Sequence, residues 1–230
     1  MAAPTAPHAA PSPVAPSLPP MAPLADPAAV LAALEALTAG AVVATDADET
    51  LWAGDVGDEI VRLASEGGGP FARGDADFAW YSKEMAEGDY ANACRFAARL
   101  LAQVDAEAVR TAVSPTLAAI AVRGWLVDAL LRAMDRGVQL VIVSASPLPV
   151  VRWTADLHGL HAAAVIGIEA RANEVQEPAP VGFGKVEAWQ RLGLAQPQVA
   201  LGDSRWDGPL LQMAQAGFLL QKASKDVFSL

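Results

Sequence analysis

A short apolar run that stops at two acids constrains this chain more than any other stretch: Ala41-Val42-Val43-Ala44-Thr45-Asp46-Ala47-Asp48-Glu49-Thr50-Leu51-Trp52. An apolar run of this length bounded by polar residues reads as a buried strand, central in a parallel sheet. Asp46 and Asp48 then stand at the carboxyl edge of that sheet, where open α/β folds place their ligands. Two acids this close repel unless a cation or a shared proton compensates them. Mg2+ meets that need, because it takes oxygen ligands and is commonly held by one or two carboxylates together with substrate phosphate. A solvated loop after a strand fits these twelve residues equally well. The rest of the chain has to decide.

Upstream, Asp26-Pro27 supplies an N-cap and a first-turn proline for a helix to about Leu37, ended by Gly40. Downstream, helices are expected over 56–65, 75–87, 89–103 and 105–113. Their breaks are Gly67-Gly68-Gly69-Pro70, Gly88 and Ser114-Pro115. The interval to about 120 holds no convincing strand and reads as an all-helical cap over 56–120, inserted between two parts of an α/β core, 26–55 and 121–230. After it come a helix over 125–136 stopped by Gly137 and a buried strand over 138–143 that ends at Ser144-Ala145-Ser146-Pro147. A helix over 148–158, a strand over 163–168 and a loop or hairpin over 171–183 follow. Gly184-Lys185 opens a helix to about Leu192, and Val199-Ala200-Leu201 is a strand ending at Gly202-Asp203-Ser204. A helix over 207–215 and a strand over 217–221 close the series. This alternation predicts a Rossmann-like α/β fold, a parallel sheet with helices on both faces.

Composition narrows the function classes. Hydrophobic residues make up 53% of the 230, enough for a sizeable core, yet the longest apolar runs reach about half a membrane span. A formal net charge of −10 argues against a general nucleic-acid binder or an anionic-membrane binder, while leaving room for an anionic substrate inside a locally positive cleft. Cys94 is the only cysteine and reads as a small core residue, so neither a disulfide nor a cysteine-rich zinc site is expected. His8, His158 and His161 form no triad or metal pattern; the last two read as helix-end residues. Residues 1–25 hold eight prolines and no charged side chain and read as an extended or disordered tail. The first basic side chain is Arg62, and prolines break every apolar run before it, so a secretory signal is not expected and cytoplasmic residence is.

Three predicted strands thus end in polar residues: Asp46 and Asp48, Ser144, and Asp203 with Asp207 shortly after. Lys185 stands at the start of an intervening helix. In a parallel sheet these ends share one edge, so groups distant in sequence converge. Carboxylates, a hydroxyl and an ammonium at one edge suit metal-assisted phosphoryl transfer. One Asp can attack phosphorus, and a second can protonate the leaving oxygen and then activate water. Mg2+ offsets the repulsion between carboxylates and phosphate. Lys, Ser and backbone N–H groups can hold the equatorial oxygens.

The residues resemble a known family at this point. Asp46-Ala47-Asp48-Glu49-Thr50, Val143-Ser144, Lys185 and Gly202-Asp203-Ser204-Arg205-Trp206-Asp207 look like the four motifs, in order, of the haloacid dehalogenase-like (HAD) superfamily. Within it the chain is similar to the phosphoserine-phosphatase-like branch with a helical cap. The resemblance spans about 41–222. It implies Asp46 as nucleophile and Asp48 as general acid/base. It implies phosphate binding by Ser144, with Ala145 beside it, and by Lys185. Asp46, the backbone carbonyl of Asp48 and Asp203 would ligate Mg2+, with Asp207 in support. In the cap, Asp55 and Arg95 stand where the family binds the amino and carboxylate groups of its substrate, although Asp55 also suits a helix cap and Arg95 a solvated helix face.

Departures qualify the substrate. Ser144-Ala145-Ser146 replaces the usual Ser-Gly-Gly, Trp206 stands where Asn is usual, and Glu49 where a small residue is common. Between Glu35 and Glu59 the chain carries seven acids and no base, an acidic wall suited to a substrate amine. The expectation is a Mg2+-dependent phosphatase acting on a small phosphorylated metabolite, phosphoserine-like or amine-bearing, through an aspartyl-phosphate. The alternatives are a phosphotransferase of the same fold and a catalytically silent binding protein. Oligomeric state is left open.

Overall fold

The computed structural model describes residues 17–227, built on a five-stranded, all-parallel sheet. Helix α1 (Pro27–Glu35) starts where Asp26 accepts the Ala28 N–H and Pro27 fills the first turn. It leads into β1 (Val42–Thr45), buried along its whole length. Four helices follow: α2 (Val56–Glu66), α3 (Phe78–Glu87), α4 (Tyr90–Leu101) and α5 (Ala106–Ala119). Asp55, Asp77, Asp89 and Asp105 cap them, each accepting at least one backbone N–H from the first turn. A cap of this kind is worth about 1 kcal/mol.

The chain returns through α6 (Gly124–Asp135) to β2 (Gln139–Pro147), α7 (Leu148–Leu157) and β3 (Ala164–Ile168). A two-residue hairpin, β4 (Ala170–Arg171) and β5 (Glu174–Val175), occupies the start of the interval whose sequence shows no clear period. Then come α8 (Phe183–Arg191), β6 (Val199–Gly202), a 3-10 turn at Arg205–Asp207, α9 (Gly208–Met213), β7 (Ala216–Leu219) and α10 (Ala223–Val227). The sheet order is β3-β2-β1-β6-β7. Alternate residues serve opposite faces. Val43, Leu140 and Ile142 pack with Val30, Leu34, Leu126 and Leu130 of α1 and α6, while Val42, Ala44, Val141 and Val143 pack with Trp189 and Leu210 of α8 and α9. Helices cover both faces.

Register brings the polar strand ends together. Thr45 of β1 lies opposite Ile142 of β2 and Leu201 of β6, so Asp46 emerges beside Val143 and Gly202. The four-helix insert leaves and re-enters through two paired strands of backbone: Ala53 N donates to Ala121 O at 2.8 Å, and Arg123 N to Leu51 O at 2.8 Å. Trp52, fully buried, lies between them and bridges both Asp48 and Val122. Arg123, also buried, donates to the carbonyls of Glu49 and Gln221 and pairs with Asp226 at 3.3 Å, tying this hinge to the C-terminal segment.

One local reading differs from the sequence. Helix α5 runs through Ser114-Pro115 to Ala119 where a stop was expected. Val109, Val113 and Leu117 are buried on one side of it, so packing outweighs the one backbone bond that Pro115 removes. The N-terminal tail, read as extended or disordered, is extended over its described part. Residues 17–25 run extended along the sheet edge, where Leu24 bridges Leu219 and Ala25 N donates to Leu219 O at 2.7 Å. Residues 1–16 lie outside the described structure.

Candidate active site

Asp46 sits at the centre of the carboxyl edge and is 6% exposed. Its Oδ1 accepts from Lys185 Nζ at 2.6 Å and its Oδ2 from Thr50 Oγ1 at 3.1 Å. Thr50 is placed by the turn after β1, and its hydroxyl also lies 3.2 Å from Asp203 Oδ1. Lys185, on the first turn of α8, is 1% exposed and spends all three donors, on Asp46, on Asp207 Oδ1 at 2.6 Å and on the Val143 carbonyl at 2.9 Å. Burial works against its ammonium, but Asp207 and Asp46 beside it outweigh burial and hold its pKa above the ordinary lysine value.

Asp207 closes the next loop on itself. Its Oδ2 accepts from the N–H groups of Asp203 and Ser204 and from Ser204 Oγ, so one side chain orders the whole turn after β6. Gly202 permits this, since a Cβ there would overlap the Asp207 side chain. Oxygens of Asp46, Asp203 and Asp207 all lie within 4.8 Å of one another. Burial first, then the neighbouring carboxylates, push Asp46 up to about 7 and Asp203 up to about 8. An all-oxygen set whose members resist ionisation together suits a divalent cation: Asp46 Oδ2 and Asp203 keep acceptor capacity, whereas both oxygens of Asp207 are engaged.

Asp48 has different company. Its Oδ1 accepts from Trp52 Nε1 at 2.8 Å and Val56 N at 2.9 Å, and its Oδ2 from Ser146 Oγ at 2.7 Å and Ser144 Oγ at 3.3 Å. All four donors are neutral. Burial, helped by the charge of Asp55, raises its pKa to about 7 against the pull of those hydrogen bonds. Ser144 is fully buried and also accepts the Ser146 N–H at 3.0 Å; of the β2 end, Ala145 lines the cavity. Asp55 caps α2, accepting from Gly57 N at 2.7 Å, Asp58 N at 3.2 Å and Ser146 Oγ at 3.3 Å.

These groups border one cavity of about 430 Å³. Its catalytic side is formed by Asp46, Asp48, Ala145, Lys185, Asp203 and Asp207. The facing wall carries Asp55 and Asp58 of the α2 start, Ser82 and Met85 of α3, and Tyr90 of α4. Tyr90 stacks on Trp206 across the two parts of the molecule, with centroids 4.8 Å apart, and the Arg205 guanidinium lies 4.7 Å from the Trp206 centroid. Arg95 does not reach the cavity. It pairs with Glu177 at 2.9 and 3.2 Å, because its position on α4 faces the segment after β5. Of the two readings of Arg95, substrate contact or helix-face residue, its placement here fits the second.

A family model described as haloacid dehalogenase-like hydrolase matches residues 43–212, well over half of the chain. The chain belongs to the haloacid dehalogenase-like hydrolases. Solved structures of low identity share the fold. A HAD family hydrolase from Salmonella enterica subsp. enterica serovar Typhi superposes with a TM-score of 0.58 at 18% identity, covering 78% of this chain and 62% of that one. A protein of unknown function from Bordetella pertussis Tohama I gives 0.65 at 18% identity, with 78% and 89% covered. A substrate-bound phosphoserine phosphatase complex gives 0.56 at 18%, with 77% and 84% covered. A search of curated proteins finds no match.

Several residues of this HAD site had little or no sequence signal. Ser146 had one, since strand alternation puts it on the face of Ser144. Thr50 lay inside the first motif, but its bridging of Asp46 to Asp203 depends on the β1–β6 pairing. Lys222 lines the cavity without any motif to mark it, whereas Asp58 belongs to the acidic wall read from the sequence. Elsewhere Cys94 is buried among apolar side chains, and His158 ends α7 with Nε2 3.1 Å from the Leu117 carbonyl. Among the described residues, no helix is long and apolar enough to cross a membrane.

Proposed function

We propose that this HAD hydrolase is a Mg2+-dependent phosphatase of a small, amine-bearing phosphomonoester, working through an aspartyl-phosphate on Asp46. The observation that carries this reading is the pairing in one cavity of two carboxylates with opposite surroundings. Asp46 is held by the Lys185 ammonium, whereas Asp48 is held by neutral donors alone. Environments that separate two acids in this way separate their roles. The ammonium favours Asp46 as a carboxylate, able to attack phosphorus. Both carboxyls are pushed up to about 7, so it is their partners that divide them: the Lys185 ammonium and a bound cation would hold Asp46 ionised, while Asp48, facing neutral donors alone, can keep its proton.

In the first step an oxygen of Asp46 bonds to phosphorus, the ester P–O bond breaks, and the Asp48 proton goes to the leaving alcohol. In the second, Asp48 takes a proton from water as the water oxygen bonds to phosphorus, and the P–O bond to Asp46 breaks. Phosphate leaves and both side chains return to their first state. Asp46 and Asp203, with the Asp48 carbonyl by family resemblance, would hold Mg2+, which supplies positive charge against the phosphate. Lys185, fixed by Asp207 and the Val143 carbonyl, keeps its ammonium at Asp46 throughout.

The cap wall supports the amine. Asp55 is spent on capping α2, but Asp58 has one carboxylate oxygen that is buried without a hydrogen-bond partner. The Asp58 side chain also lines the cavity, and its acidic charge favours a substrate that brings an ammonium there. With Arg95 turned to Glu177, the cavity's cations other than Lys185 are Arg205 and Lys222, both outside the cap, and the acidic cap side favours an amino-alcohol phosphate over phosphoserine. Phosphate release from phosphoethanolamine, phosphoserine and a sugar phosphate tests this. The expected order has phosphoethanolamine first; the sugar phosphate first, unchanged in Asp58→Asn, would remove the amine assignment.

A further inference from the structure

We propose that Leu18 and Pro19, in the extended arm 17–25, are positioning residues that hold the loop leading into α8, whose first turn carries Lys185, and the turn that carries Asp207. The arm's pairing with the sheet edge at Leu24 and Ala25 is explained by edge protection. Its upstream contacts are not. There the arm passes the carboxyl end of the sheet and meets bare backbone at two glycines. A Cβ on Gly182 would lie 3.0 Å from Leu18 Cδ2 and 3.6 Å from Trp206 Cε3. A Cβ on Gly208 would lie 2.8 Å from Pro19 Cγ. Gly182 precedes α8 and stands three residues before Lys185; Gly208 directly follows Asp207.

The contacts therefore fall beside both members of the 2.6 Å Lys185–Asp207 pair. Leu18 and Trp206 both border Gly182, and the Trp206 ring stacks on Tyr90 of the cap side. These loops need outside support. The turn from Asp203 to Asp207 is ordered chiefly by one carboxylate, and α9 beyond it is six residues long. Leu18 and Pro19 are each half-buried, and Pro19-Pro20 limits the arm to extended shapes, so little chain entropy opposes docking. Neither residue touches a reacting atom. Each acts through the loop it abuts.

The activity and Mg2+ readouts rest on the Mg2+-dependent phosphatase reading; the amide-exchange readout does not. In the full chain, Leu18→Asn/Pro19→Ser is compared with the conservative Leu18→Ile. Three quantities are read: kcat and KM on p-nitrophenyl phosphate, Mg2+ affinity from thermal shifts, and amide exchange at Asp203 and Ser204. Supporting groups of this kind commonly alter activity or metal affinity about 10–100-fold. The double variant should lose about tenfold in kcat with KM little changed, bind Mg2+ correspondingly more weakly and exchange faster at both amides, while Leu18→Ile stays near native. Native kcat, Mg2+ affinity and exchange in the double variant, with or without a lower Tm, would reduce the arm to an edge cover and overturn the proposal. If the double variant does not fold, Pro19→Ala, which removes only the ring against Gly208, is judged by the same three readouts. A wild-type protein without phosphatase activity refutes the phosphatase reading, and the exchange comparison still decides the arm.

Discussion

The two walls of the catalytic cavity are built on different principles. On the sheet side, Asp46, Lys185 and Asp207 lock one another at 2.6 Å, and Asp48 receives four hydrogen bonds. On the helical side, Asp55 serves its own helix, Asp58 keeps an orphan oxygen, and Arg95 is drawn away to Glu177. The first wall is preorganised before substrate arrives, as electrostatic stabilisation of a transition state requires. The second holds acidic side chains that a substrate amine would complement. On the proposed reading, the sheet edge sets the type of reaction and the helical side the choice of substrate.

The contrast is broken most severely at Asp46. Asp46→Asn should abolish phosphate release while circular dichroism stays native, and Asp48→Asn should cost on the order of 10²–10⁴-fold. Near-native turnover in Asp46→Asn would end the covalent scheme. Next in size is Lys185→Met. Removing the ammonium leaves Asp46 and Asp207 buried and facing each other, a loss of about 3–5 kcal/mol in urea unfolding. A loss as small as that of a surface pair would mean the sheet side is not preorganised by this cluster.

A third measurement uses the metal. At a Mg2+ concentration about 100 times its Kd, the wild type should gain about 2.7 kcal/mol over chelated protein, and Asp203→Asn should lose most of that gain. Equal gains in both would place the cation elsewhere. The smallest effects belong to the cap. Asp58 is raised by burial from 3.8 to about 6, so its ionised form destabilises the fold above pH 6, a cost absent below 3.8. Asp58→Asn should therefore be more stable than wild type by about 1–3 kcal/mol at pH 8, the gain shrinking as pH falls through 6, with poorer turnover of amine substrates. Arg95→Ala should change stability by less than about 1 kcal/mol, since its ion pair is partly exposed, and should leave activity unchanged. A strong activity loss there would return Arg95 to the substrate.

The edge residues were legible because each follows a buried strand or opens a helix, and those positions are set by local pattern. Ser144 shows where that logic stops. Strand β2 continues to Pro147, so alternation turns Ser144 and Ser146 toward Asp48 and leaves Ala145 at the cavity. A residue type and a position named the serine; only the strand's true end gave its direction. Pro115 is a similar case, its local penalty outweighed by the burial of Val113 and Leu117.

By itself the sequence determined the parallel sheet, the helical insert and the acids at the sheet edge, because apolar periodicity and strand-end polarity are properties of neighbouring residues. Only the tertiary structure decided which of those acids share a hydrogen-bonding partner, that Arg95 turns to Glu177, and that Leu18 and Pro19 lie against Gly182 and Gly208. These are contacts between segments 80 to almost 200 residues apart, chosen by how whole elements pack, and no local pattern in either partner encodes them.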